Sequence, residues 1–369
     1  MIPTLVGVSL LVTAFVRLLP GDAVDILVTE NSVAGGNQAF IQLVNRHIER
    51  QGLDPATVDF ATRKAAEDEL IAEQLAKKGI DPATAGAAQR LEARNDLALV
   101  AYKDDIRRKL GIDKNYIEQW SDWMWNALQG DLGTSLVGGR SIADELTRRV
   151  PASFQLGLFA MLFGSAIAIP IGVISAVKQD TIADYSSRSL AIAMLALPSF
   201  FIATMAIAGG ARWFDYSPPL FYEDLWKNPS VNLQLVLPPA IILGFALSGT
   251  VMRLTRAQML EVLRQDYIRT AQAKGLAQRQ VIVVHAVRNA LLPVITVIGL
   301  QVPVLIGGSL VLEAIYGIPG VAQYLFISIN NREFPAVIAI NMIVAFVIVV
   351  TNLIVDVAYG YLDPRVTFS

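Results

Sequence analysis

Phe154-Gln155-Leu156-Gly157-Leu158-Phe159-Ala160-Met161-Leu162-Phe163-Gly164-Ser165-Ala166-Ile167-Ala168-Ile169-Pro170-Ile171-Gly172-Val173-Ile174-Ser175-Ala176-Val177 runs for 24 residues without a charged side chain. Lipid offers no partner for backbone N–H and C=O groups. An apolar run of about 20 residues therefore satisfies them internally, as a membrane-crossing helix. Five further runs flank it: Ile2 to Leu19, Leu190 to Trp213, Leu235 to Met252, Ala290 to Ala314 and Ala336 to Tyr359. The expected fold class is an all-α integral membrane protein with six transmembrane helices. Pro170, Pro198, Pro238 and Pro303 fall inside these runs, where membrane helices tolerate proline better than soluble ones.

Composition points the same way. Of 369 residues, 54% are apolar and 17% charged, against about half and a quarter in soluble domains. The net charge of −2 identifies no partner, because the two faces of a membrane protein meet different surroundings. Cysteine is absent, which excludes disulfides, thiolate metal sites and cysteine nucleophiles. The two histidines, His47 and His285, lie far apart in sequence, which argues against a histidine metal cluster. The first run lacks a basic leader and a small-x-small cleavage site, so it is read as a span and not as a signal peptide.

Charge sets the expected orientation. Residues 251–290 carry Arg253, Arg256, Arg264, Arg269, Lys274, Arg279 and Arg288 against only Glu261 and Asp266. The positive-inside rule makes this loop cytoplasmic and, with six spans, places both termini inside. Trp120, Trp123, Trp125, Trp213 and Trp226 then all fall on the outer side, as an interfacial belt.

The chain divides into a first span (1–20), an extracytoplasmic segment (21–151) and a five-helix core (152–369) with its cytoplasmic loop at about 253–288. The long segment repeats a phrase: Gly52-Leu53-Asp54-Pro55-Ala56-Thr57, then Gly79-Ile80-Asp81-Pro82-Ala83-Thr84, with an echo at Gly111-Ile112-Asp113. Gly suits a helix C′ position, Asp an N-cap and Pro a first turn, so three helix junctions and a small helical subdomain are expected. The alternative is a loose, Ala/Glu/Lys-rich insertion. His47, on this segment, is expected to face solvent.

In the basic loop, Leu260, Leu263, Tyr267 and Ala271 are spaced three, four and four apart, an apolar stripe on a short helix along the membrane surface. Gly275 ends that helix, and a second helical piece from about Ala277 to Val287 leads into span five. Read alone, this is either an amphipathic interfacial helix or a rigid cytoplasmic knob.

The residues themselves narrow the choice. Tyr267-Ile268-Arg269-Thr270-Ala271-Gln272-Ala273-Lys274-Gly275, continuing to His285-Ala286-Val287-Arg288-Asn289-Ala290-Leu291-Leu292-Pro293, resembles the coupling-loop signature of ATP-binding-cassette (ABC) importer permeases. The general motif opens Glu-Ala-Ala and reaches Gly after three further residues; here Arg269 and Thr270 stand at its first two positions, and Ala271 and Gly275 match. His285 and Arg288 occupy the Ile and Pro positions of its distal element. These departures are themselves similar to the oligopeptide/dipeptide/nickel branch. Leu19-Pro20-Gly21-Asp22, Gly130-Asp131-Leu132-Gly133-Thr134-Ser135, Leu197-Pro198-Ser199-Phe200-Phe201, Glu313-Ala314-Ile315-Tyr316-Gly317-Ile318-Pro319-Gly320 and Asp363-Pro364-Arg365 also resemble family motifs, in order. The resemblance covers about 1–30 and 108–369 and leaves out about 31–107.

The resemblance implies a type I importer permease in the inner membrane of a prokaryote. It implies a second related permease, two cytoplasmic ATPase subunits and an extracytoplasmic solute-binding protein as partners, with peptides as substrate and no nucleic acid. Nickel complexes or oligosaccharides are the alternatives within the family. Tyr267, Arg269, Thr270, Ala271, Ala273, Lys274, Gly275, His285 and Arg288 would form the ATPase-coupling loop, with Ala271, Lys274 and Gly275 as the docking core. No Gly-x-x-x-x-Gly-Lys-Ser/Thr phosphate loop occurs, so ATP and Mg would be held by the partners, and no catalytic residue, metal site or cofactor is expected in this chain. Polar residues inside spans usually face protein or water. Gln301, Glu313 and Asn341 are the candidates for pathway or gate, with Asn352 and Asp356 beside them. An ATPase-independent channel would need no such loop. A receptor or scaffold would use the helical segment instead.

Overall fold

The computed structural model describes residues 2–18, 23–111, 113–136 and 139–362. They are helical throughout: α1 (Ile2–Leu18), α2 (Ala23–Arg50), α3 (Phe60–Lys77), α4 (Ala87–Leu110), α5 (Tyr116–Leu128), α6 (Ile142–Val177), α7 (Ile182–Ala196), α8 (Ser199–Phe214), α9 (Pro229–Leu263), α10 (Asp266–Ala273), α11 (Gln278–Gln280), a π-helix (Val281–Val287), α12 (Arg288–Leu300), α13 (Val302–Gly308), α14 (Leu310–Tyr316), α15 (Val321–Asn330) and α16 (Phe334–Leu362). The Leu19-Pro20-Gly21-Asp22 and Asp363-Pro364-Arg365 motifs, and the Asp356 side chain, lie outside the described residues. The chain forms two compact units: Met1–Val8, Arg140–Asn330 and Ala336–Ser369 in the larger, Ser9–Gly139 and Asn331–Pro335 in the smaller.

Among the described residues, four helical stretches are long and apolar enough to cross a membrane: Ile142–Val177, Pro229–Leu263, Gln278–Leu300 and Phe334–Val355. Two bent pairs raise this to six if each counts as one span, Ile182–Ala196 with Ser199–Phe214 at 93° and Leu310–Tyr316 with Val321–Asn330 at 97°; the expected first span, Ile2–Leu18, is a 17-residue helix and is not one of the six. This corrects two of the spans expected from sequence. The third is broken where Pro198 caps α8. The fifth is divided at Gln301 and Ser309, and the stretch after it, read as a loop, contains α15. Proline explains part of the pattern. Pro170 and Pro238 sit inside α6 and α9, whereas Pro198 and Pro303 stand at helix starts, where the missing N–H breaks no bond.

The heart of the larger unit is α6 packed along α9. Small residues allow this. A Cβ at Gly164 would lie 2.8 Å from the Gly244 carbonyl oxygen, and one at Gly244 2.7 Å from that of Ala160. Ser248 donates to the Gly164 and Gly244 carbonyls at 3.1 and 2.8 Å, so its hydroxyl is satisfied inside the contact. Lipid gives helices little hydrophobic reason to associate. Close backbone approach and such hydrogen bonds supply it instead. α7 lies against the same helix near Gly249, and Leu156, Leu235, Val236, Met252 and Leu312 fill the core.

The smaller unit holds α2 to α5 and the second half of α1. Its repeated phrase builds the same turn twice. Gly52 and Gly79 are left-handed, with φ of 78° and 73°. Asp54 and Asp81 each accept from the backbone N–H two residues on, at 2.9 Å. Arg63 and Arg90 each donate to the proline carbonyl of their own turn, Pro55 at 2.9 Å and Pro82 at 3.0 Å. The glycines serve as expected, but the aspartates do not cap helices: Asp59 is the N-cap of α3 and Gly86 that of α4. Each aspartate instead closes a separate turn before its helix begins. Lys78, beside the second turn, bonds to Asp96 and Glu92, which hold its ammonium above its ordinary pKa.

The smaller unit's core is made of Phe40, Val44, Ile48, Ala66 and Leu70, with Leu75 and Ala93 adjoining and Arg94 stacked on Phe40. His47 is half-buried and bonded to Glu69 at 3.1 Å, a correction to its expected solvent exposure. α5 is clasped to α1: Tyr116 donates to the Leu10 carbonyl, and Trp120 Nε1 donates to Ser9 Oγ at 2.9 Å. Gly79→Val is expected to weaken the second turn by about 1–2 kcal/mol, a pure backbone cost because no atom lies within 4 Å of its Cβ position. Faster amide exchange over Lys78–Thr84 would register it, and unchanged exchange would refute it.

Candidate functional site

The loop after α9 folds as a bracket of two short helical arms. α10 forms the first, and Gly275 turns the chain at φ +80°, a conformation other residues rarely adopt. α11 and the π-helix form the second arm and lead into α12. The bracket buries Ile268, Ala271, Val281 and Ala286 against Ala176 of α6, Met259 of α9 and Ala290 of α12. Leu260 and Leu263 belong to α9, so the stripe expected on one helix is divided between two. Leu260, Leu263 and Ala271 turn towards this chain. Arg269, Thr270, Ala273, Lys274 and Gly275 remain exposed, as does Tyr267, which accepts a hydrogen bond from Asn289 at 3.1 Å. Ala271 is therefore a packing residue of the bracket and not part of its outer face. The physical reason is local: an eight-residue helix buries its apolar side against its own chain, and the polar side is left outward. His285 is half-buried on the π-helix, and Arg288 is exposed at the start of α12. Such wide turns are common at functional positions.

Beneath the bracket lies a carboxylate clamp that the sequence reading missed. Asp184 of α7 is completely buried. Arg256 of α9 grips it with two bonds, Nε to Oδ1 at 2.7 Å and Nη2 to Oδ2 at 2.8 Å. Ser175 of α6 donates to Oδ1 at 2.6 Å, and the Asp180 backbone N–H donates to Oδ2 at 3.1 Å. Three helices and a turn thus meet at one side chain. The signal in the sequence was an acid shortly before one apolar run, with an arginine shortly after another.

A second buried carboxylate organises the turn after α14. Glu313 is fully buried. Its Oε1 accepts from Ser153 and Ser309 hydroxyls, both at 2.7 Å, and its Oε2 accepts from the Gln323 N–H at 2.8 Å. Its carbonyl accepts from Ile318 at 2.9 Å. A Cβ on Gly320 would sit 2.0 Å from the carboxylate carbon, so the Tyr316-Gly317-Ile318-Pro319-Gly320 turn wraps directly over it.

An all-helical core of bent spans with such a bracket accords with the sequence comparisons. The family model described as binding-protein-dependent transport system inner membrane component matches residues 168–368, more than half of the chain. The chain belongs to this family. It is a permease subunit of a binding-protein-dependent ABC importer and has a transport role, not a catalytic one. The dipeptide transport system permease protein DppB of Escherichia coli strain K12 is 31% identical over 390 residues, covering 99% of this chain and 95% of that protein. That match takes in residues 31–107, which the motif resemblance left out. The DppB of Bacillus subtilis strain 168 is 38% identical over 267 residues, 72% of this chain and 84% of that one. The di/tripeptide permease DppB of Pseudomonas aeruginosa strain UCBPP-PA14 is 31% identical over 99% of this chain and 96% of its own. A solved amino acid ABC transporter is similar at a TM-score of 0.43 and 15% identity, over 60% of this chain and 94% of that one.

Within the permease, the pathway candidates are scattered. Gln301 is half-buried at the break between α12 and α13, with its carbonyl bonded to Leu305 N–H at 2.9 Å. Asn341 is half-buried on α16 and returns its amide to the Val337 carbonyl at 2.8 Å, a bond within one helix. Asn352 is half-buried near the end of the same helix. Glu313 faces the interior and its own turn, with both carboxylate oxygens engaged.

Proposed function

We propose that this permease carries dipeptides as one of two related membrane subunits, driven by two cytoplasmic ATPases and supplied by an extracytoplasmic solute-binding protein. The exposed face of the bracket carries this reading: Arg269, Thr270, Ala273 and Lys274 around the Gly275 turn, held by a packed base. A rigid, polar, cationic projection suits insertion into a cleft on an ATPase, where its charges set register more than affinity. ATP and Mg belong to the ATPases, which lie with the bracket and both termini on the cytoplasmic side. By the same orientation residues 21–151 are extracytoplasmic, and the insertion at 31–107 contacts the binding protein or partly covers the entrance. Dipeptides are chosen because similar permeases from three bacteria are named for dipeptides or di/tripeptides.

The test is purification of the tagged protein from its native membrane in mild detergent. Recovery of a second permease and two ATPases, with the ATPases lost on Gly275→Trp, supports the reading. Trp at a left-handed turn both strains the backbone and blocks the face. Recovery of the protein alone in several gentle detergents would refute it. ATP-dependent uptake of a labelled dipeptide by the reconstituted complex tests the substrate.

A further inference from the structure

We infer that Asp184, Ser175 and Arg256 form a positioning joint that makes α7 follow the coupling bracket, so that bracket motion reaches the third span. The inference rests on the proposed ATPase coupling and deepens it.

The bracket bears directly on α6, α9 and α12, and the first two of these matter here. It packs on Ala176 of α6 and on Met259, Leu260 and Leu263 of α9. No residue of α7 belongs to that apolar cluster. Yet the residue before Ala176 is Ser175, and the residue one helical turn before Met259 and Leu260 is Arg256. Both reach sideways to Asp184 of α7. The carboxylate is therefore a fixed polar point, beside the apolar packing of α7 on α9, where displacement of α6 or α9 is passed to a helix that has no residue in the bracket's apolar cluster. Its geometry suits transmission. Two parallel bonds from a planar guanidinium fix direction as well as distance, and a desolvated pair resists separation more than a solvated one. The Asp180 N–H adds the connecting turn to the same group. Arg188, one turn along α7, approaches Oδ1 at 3.6 Å and adds positive charge from α7 itself. α7 then continues past Pro198 into α8 at 93°, so a tilt of α7 redirects the whole third span.

The joint is tested in the full complex, reconstituted in proteoliposomes with the binding protein and a labelled dipeptide. The readout is dipeptide taken up per ATP hydrolysed. A merely structural defect lowers both numbers together and leaves the ratio alone. Asp184→Asn keeps the shape and removes the charge. It is expected to lower the ratio about tenfold, with both ATPases still co-purifying. Arg256→Lys keeps the charge and removes the two-point grip, and Ser175→Ala removes a single donor. Both are expected to fall between wild type and Asp184→Asn, and they decide the matter if Asp184→Asn fails to assemble. An unchanged ratio in the variants that assemble overturns the joint. Wild-type protein that recruits no ATPase overturns the coupling reading instead, and the joint with it.

Discussion

Gly244→Val should abolish the folded protein. Its new Cβ would stand 2.7 Å from the Ala160 carbonyl oxygen and 3.1 Å from the Gly164 nitrogen. Both are backbone atoms, so no rotamer change can relieve the clash. The helices must separate along a contact that also carries the Ser248 hydrogen bonds. Ordinary overpacking costs about 1–3 kcal/mol because side chains yield. Here the expected cost exceeds that range, which takes most of the stability of a typical domain once the branched side chain is added. Size-exclusion of the tagged protein in mild detergent measures it: Gly244→Val should lose the monodisperse peak. Gly307→Ala, where nothing lies within 4 Å, should keep it. A monodisperse Gly244→Val protein with wild-type melting behaviour would contradict the α6–α9 contact.

The second large effect is expected from Glu313→Ala. Removing the carboxylate takes away the acceptor for the buried hydroxyls of Ser153 and Ser309 and for the N–H of Gln323. Each buried donor that loses its acceptor costs about 1–3 kcal/mol, so with three donors affected a loss of about 3 kcal/mol or more is expected. The damage should concentrate on the turn. Amide exchange over Gly317–Gln323 should rise sharply while α6 and α9 stay protected. Glu313→Gln keeps one acceptor oxygen but turns an amide donor towards another donor, so it should fall between the two. Were Glu313 a solvent-facing gate residue, Glu313→Ala would leave the exchange of this turn unchanged.

The apolar runs made the membrane class legible, because lipid imposes one requirement on every backbone group alike. The bends were not legible from the runs. Hydropathy does not distinguish Pro170, absorbed inside α6, from Pro198, which sits at a 93° break. That difference depends on what packs around each proline. Gly275 was legible as a helix stop, since few other residues adopt φ +80°. The direction of the stripe was not. Spacing says that Leu260, Leu263 and Ala271 share a side, but it cannot say whether a partner or the chain's own α6 covers it. The Asp184 clamp was hidden because its partners lie 9 and 72 residues away. Periodicity reports neighbours along a helix and is blind to such pairings.

The clasp between α5 and α1 bears on how the chain is made. Tyr116 and Trp120 reach back 106 and 111 residues to Leu10 and Ser9. At a synthesis rate of about 5–20 residues per second, the first helix waits roughly 5–20 s at the ribosome before those donors exist. During that interval Thr13 can already bond to the Ser9 carbonyl within the helix, as it does at 2.8 Å in the finished protein. The Leu10 and Ser9 acceptors, however, stay without their later partners. Insertion of α1 is therefore set by its own apolarity and by the insertion machinery. The clasp comes afterwards, as a lock that records that the smaller unit has folded.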